Sequence, residues 1–166
     1  MASGDTLISW EASQGIPGAS AFPALVRRNN HMVLGFDDTT DETVYFEGIM
    51  PRHYAGGGVT ISLAWLAATA TSAAVMWETG FERHDDDVTD LDADSFATNN
   101  FASSTAASAS GETQYVDIAH TNGAQMDSVA AGEHFRLRVT RDANGTNGTD
   151  GMAGDAQLLS IEIRES

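Results

Sequence analysis

The chain has 166 residues, 24 acidic side chains against eight basic ones, a formal net charge of -16 and a mean hydropathy of -0.21. That length supports one domain with a two-layer core of its own, no apolar run reaches the roughly eighteen residues of a membrane span, and the charge repels phosphate backbones. The absence of cysteine removes disulfides, thiolate zinc sites and cysteine nucleophiles together.

Apolar residues recur with a period of two in short segments separated by Gly, Asp, Asn, Ser and Thr, the pattern of strands. Asp5 to Trp10 opens the chain with Leu7 and Ile8, and the stretch Gly15 to Ser20 interrupts it before Ala24 to Arg28. Residues 1–30 are therefore expected as an irregular N-terminal arm. The first residues have no basic region before an apolar one, and no secretory signal is expected. His31 to Phe36 puts Met32, Leu34 and Phe36 on one face, and the acidic turn Asp37 to Glu42 leads into Thr43 to Ile49, a hairpin-like or sheet-crossing pair.

Pro51 stops that strand and Gly56 to Gly58 gives a bendable joint. Val59, Ile61, Leu63 and Trp65 then alternate with small or polar residues, and Val75, Trp77, Thr79 and Phe81 repeat the arrangement. The spacing predicts an antiparallel hairpin for these two. His84 to Gly111 is acidic at first and then small and polar, a long loop with a helical turn at Asp94 to Ala97. Thr113 to His120 resumes the alternation. Phe135, Leu137 and Val139 follow, with Arg136, Arg138 and Arg141 as an arginine stripe on the opposite face and its flank. Leu159, Ile161 and Ile163 mark the last strand. The sum is one all-β domain over residues 1–166, a two-sheet antiparallel sandwich of jelly-roll type with about eight strands; an immunoglobulin-like sandwich is the second choice.

No catalytic set is legible. The five histidines are scattered singly, the serines have no nucleophile elbow, and Gly56 to Gly58 lacks the lysine and helix of a phosphate loop. Asp90, Asp92 and Asp94 resemble the first half of a calcium loop, but Ser95 stands where the turn glycine belongs and Phe101 where the bidentate glutamate belongs. Calcium on those three aspartates is the one cofactor expectation. Trp65 and Trp77, in phase with Val, Ile and Phe, belong to the core, and Tyr54 is the aromatic expected at the surface. Asn144 and Asn147 match glycosylation sequons whose expected role is in the turn. Arg136, Arg138 and Arg141 pair with acids on an exposed face or grip an acidic partner.

Phe36 to Glu42, Gly48 to Pro51, Tyr54 with Gly56 to Gly58, Asn122 to Asp127 and Ala131 to Glu133 together resemble a type of small protein common in tailed-phage and marine viral sequences. The resemblance implies a non-enzymatic virion structural protein, a capsid decoration or cement protein. It would be made in the host cytoplasm and form a homotrimer on the major capsid protein or another virion protein. The alternative is a carbohydrate-binding jelly-roll module, assisted by calcium, which would need exposed aromatic side chains. Neither calls for nucleic acid or a membrane.

Overall fold

A computed structural model describes residues 4–166; residues 1–3, the start of the expected arm, lie outside it. Among the described residues eleven strands form: β1 (Thr6–Glu11), β2 (Ile16–Pro17), β3 (Ala24–Arg28), β4 (His31–Phe36), β5 (Glu42–Ile49), β6 (Val59–Ala67), β7 (Ala74–His84), β8 (Asn100–Thr105), β9 (Gln114–His120), β10 (His134–Arg141) and β11 (Ala156–Glu165). The first sheet has the order β3-β4-β11-β6-β9, with β1 also on β11; the second is β2-β5-β10-β7-β8. All pairings are antiparallel.

The last eight strands are the jelly roll. Four of them run β4-β11-β6-β9 in one sheet and four run β5-β10-β7-β8 in the other, so β4 to β5 and β6 to β7 cross between sheets. β1, β2 and β3 are additions. The expected irregular arm is woven into both sheets, with β1 on β11, β2 on β5 and β3 on β4.

One expectation about pairing is resolved and another is overturned. Of the two options for the segments either side of Asp37 to Glu42, the sheet crossing is found. Its corner is tied by Asp37 Oδ1, which accepts from the Thr39 amide (2.7 Å), the Thr39 hydroxyl (2.5 Å) and the Thr40 amide (2.9 Å). Hydrogen bonding from the Thr39 side chain and backbone holds the Asp37 carboxyl below its ordinary pKa. β6 and β7 do not form the predicted hairpin; they face each other across the core, with the Trp65 and Trp77 rings edge-on at 6.1 Å. Both strands carry large apolar residues on their inward face, and stacking the sheets buries both sets at once, which a flat hairpin cannot do.

Val59, Ile61, Leu63 and Trp65 meet Val75, Trp77 and Phe81, all fully buried, with Phe36, Phe46, Phe135 and Ile163 completing the layer. Each such side chain contributes about 1.5–3 kcal/mol of hydrophobic stabilisation. The expected long loop is shorter than the sequence suggests, because β8 forms inside it and pairs with β7; residues 94–97 make no helical turn. Among the described residues no helix is long and apolar enough to cross a membrane.

Candidate functional site

On β5 the inward residues are Val44 and Phe46, so Thr43, Tyr45 and Glu47 point out of the second sheet. On β10 the inward residues Phe135, Leu137 and Val139 leave Arg136 and Arg138 outward. Register then sets Glu47 beside Arg136 and Tyr45 beside Arg138. Next to them β7 contributes Glu78 and Glu82, outward by parity yet only 7% and 1% exposed.

Those two carboxylates are buried because residues 85–99 fold back over this face. Asp94 bonds Arg136 at 2.5 Å, and the Ser95 amide donates to Glu82 Oε1 at 2.5 Å. Phe96 packs on Tyr45 with ring centroids 5.7 Å apart, beneath the guanidinium groups of Arg136 and Arg138 at 4.9 and 4.4 Å. Asn99 donates to Glu78 and accepts from Arg138, each at 2.8 Å. Arg136 bonds Glu82 through Nε (2.9 Å) and Nη2 (2.5 Å). Burial draws the Arg136 pKa down, but the hydrogen bonds it donates to Glu82 and Asp94 outweigh it and the net shift is upward.

Beyond this cover the face stays open as a groove of about 430 Å³. Its floor is Thr43, Tyr45, Glu47 and Arg136; one wall is the segment Ile16 to Ala21, the other Asp94, and Asp41 closes one end. Gly18 lies against Tyr45, where an added Cβ would sit 3.5 Å from the ring. Among the described residues neither the Tyr45 hydroxyl nor the Glu47 carboxylate has a hydrogen-bond partner. The floor thus offers a half-buried ring flanked by free polar groups.

The expected sites fare differently. Arg136 and Arg138 are on the outer face and held within the chain, by Glu82, Asp94, Asn99 and Phe96. Arg141 is a correction: it is fully buried and cannot grip a partner. Its odd number puts it in phase with Phe135, Leu137 and Val139, and its guanidinium pairs with Asp150 in the interior. Asp90, Asp92 and Asp94 do not converge: Asp90 Oδ1 accepts from the Asp92 amide at 3.0 Å while Asp94 faces Arg136. No group of three or more His, Asp or Glu side chains among the described residues is placed to hold a metal ion.

Tyr54, expected at the surface, is 7% exposed, and its hydroxyl accepts from the Gly58 amide at 3.1 Å and donates toward Asn122 and Met126. His120, one of the scattered histidines, lies in the core and bonds Thr79 Oγ1 at 2.8 Å; burial lowers its pKa to about 4. No spacing signals that His84 and His134 meet. They are opposed in register, with Nδ1 atoms 2.7 Å apart. Asn144 and Asn147 bond Asp41 and Glu78 through their side-chain amides.

No family model and no curated relative matches the sequence. Among solved structures, the chain is similar to a CBM36 domain of a multidomain xylanase from the hindgut metagenome of Trinervitermes trinervoides. That match has TM-score 0.49 and 10% identity, over 96% of this chain and 97% of that one. It is also similar to a family 11 carbohydrate-binding module from Clostridium thermocellum, solved with a β-1,3-1,4-mixed-linked tetrasaccharide. There the TM-score is 0.49 and the identity 10%, over 100% and 98% of the two chains. What this chain binds has to come from its own residues.

Proposed function

We propose that this chain is a non-catalytic carbohydrate-binding domain that holds a glycan in the groove along β5. The observation that carries this is the floor itself: Tyr45 and Glu47 lie two residues apart on one strand face, and the hydroxyl and carboxylate have no partner within the described chain. An aromatic ring beside planar polar groups suits sugars, whose C–H faces pack on rings and whose hydroxyls pair with carboxylates and guanidinium groups. Thr43 to Glu47 spans about 13 Å at strand spacing, room for a ligand longer than one ring.

Competing ligand classes fit the groove less well. A peptide added as a strand needs a free sheet edge, whereas β5 is paired with β10 along its length and with β2 at Tyr45 and Val44. Nucleic acid would meet Asp41, Glu47 and Asp94 in a chain of net charge -16. Wild-type protein on a glycan array should give a restricted set of hits, and Glu47→Ala should weaken them at least about tenfold, or 1.4 kcal/mol. An array without hits, or hits untouched by Glu47→Ala, contradicts the assignment.

A virion decoration protein is the second reading, and one observation favours it. Ile16, Phe22 and Leu25 are 45%, 46% and 53% exposed where the edges of the two sheets meet, beside an apolar cleft of about 210 Å³. Copies of the chain would bury that edge against one another. Light scattering tests it: a trimer that Phe22→Asp returns to monomer supports the reading, and a wild-type monomer at high concentration opposes it.

A further inference from the structure

We infer that the His84–His134 pair is an acid-sensitive latch on the groove wall; the link to ligand binding rests on the proposed glycan site, the latch itself does not. His84 closes β7 and His134 opens β10, directly opposed in register, with near-parallel rings 4.7 Å apart and Nδ1 atoms 2.7 Å apart. His84 Nε2 has no hydrogen-bond partner among the described residues, but the Glu82 carboxylate, with Oε2 3.6 Å away, favours the tautomer with the proton on Nε2 and Nδ1 as acceptor. His134 Nδ1–H is then the donor.

Proton counting gives the switch. A first added proton goes to His134 Nε2, and the bond survives because His134 still donates and His84 still accepts. A second proton has only His84 Nδ1 to occupy. Two imidazolium rings cannot share that bond, so the pair separates.

The pair connects to the groove through Glu82. That carboxylate lies beside His84 and also holds the Ser95 amide and Arg136, which in turn holds Asp94 of the groove wall. The other charged groups facing this end of the sheet are Arg83, which pairs with Asp85 and Glu133, and Asp127, which accepts from the Arg83 amide at 2.8 Å. When the rings part, a doubly charged pair competes with Arg136 and Ser95 for Glu82, and residues 85–99, which leave the sheet immediately after His84, lose their anchor.

The test is hydrogen exchange of residues 85–97 in the ligand-free protein, corrected for intrinsic rates, between pH 7.5 and 5. Between the two, protection should fall by at least about tenfold more than that of the core strands, whose own loss follows from the protonation of buried His120. His134→Phe should show no such pH step. If that variant fails to fold, the N–N coupling across the His84–His134 bond in the wild type supplies the readout, present at pH 7.5 and absent at pH 5. Unchanged protection, or a coupling that persists at pH 5, overturns the latch. Because no glycan is present, a chain that binds no sugar leaves this result untouched.

Discussion

Arg141 and Asp150 meet through two hydrogen bonds, 2.9 Å from Nε and 2.8 Å from Nη2, with neither side chain more than 1% exposed. The remaining donors of the guanidinium go to the carbonyls of Phe36, Met152 and Gly154, so all five N–H groups are satisfied. Asp150 also accepts from the Met76 amide. One buried cation thus pins the loop between β10 and β11 to both sheets.

Removing one partner of such a pair leaves an uncompensated charge in the interior. Asp150→Asn should cost about 3–5 kcal/mol in urea denaturation. The half-exposed Arg164–Asp117 pair, 2.7 Å long, is the control: Asp117→Asn should change stability by less than about 1 kcal/mol. Equal costs would mean that the interior pair is not what fastens the loop.

His120 makes stability depend on pH. The folded protein holds the ring neutral down to about pH 4, while the unfolded chain takes up the proton near the ordinary value of 6.5. The contribution is therefore complete above about pH 6.5 and is lost as pH falls toward 4, on the order of 3 kcal/mol. Denaturation midpoints between pH 7 and 4 should fall steeply in the wild type and less in His120→Phe. That variant starts about 1–3 kcal/mol lower at pH 7 because Thr79 and the Gln125 carbonyl lose their partner.

Tyr54→Phe isolates one buried hydroxyl. The ring remains in the core, but the Gly58 amide loses its acceptor beside a glycine at φ +98. A loss of about 1–3 kcal/mol is expected by thermal or urea unfolding. A neutral substitution would show that water or the chain re-satisfies the amide.

What the sequence disclosed and withheld follows from where the information lies. Val59 to Trp65 and Phe135 to Val139 declare their strands because alternation is local, and the parity that puts Tyr45 and Arg136 on one outer face is legible too. Arg141 breaks the pattern only if charge is given more weight than parity; its partner Asp150 lies in a Gly- and Asn-rich loop with no signature. β2 has two residues and β8, Asn100–Thr105, has one large apolar side chain, so neither carries a periodic signal. The groove depends on residues 85–99 folding back over β7, a contact among Asp94, Phe96, Asn99 and two arginines that no spacing encodes. The burial of Tyr54 is hidden for a similar reason: Met126 and Asn122, which cover it, are some seventy residues away.

Gly80 reports on that fold-back. A Cβ there would stand 2.3 Å from Asn99 Oδ1, so Gly80→Ala has to displace Asn99 from Glu78 and Arg138. Stability should fall by about 1–3 kcal/mol, and hydrogen exchange should quicken across residues 85–99 while β10 stays protected. Exchange that rises equally in β10 would place the damage in the sheet instead.

The most direct measurement for the central claim is chemical-shift mapping of the protein titrated with the soluble oligosaccharides that an array selects. The account predicts saturable shifts confined to Thr43, Tyr45, Glu47, Arg136 and the 16–21 segment, abolished in Glu47→Ala. Shifts centred on Tyr115, the exposed ring that β9 presents on the outer face of the first sheet, or none at millimolar ligand, would contradict it.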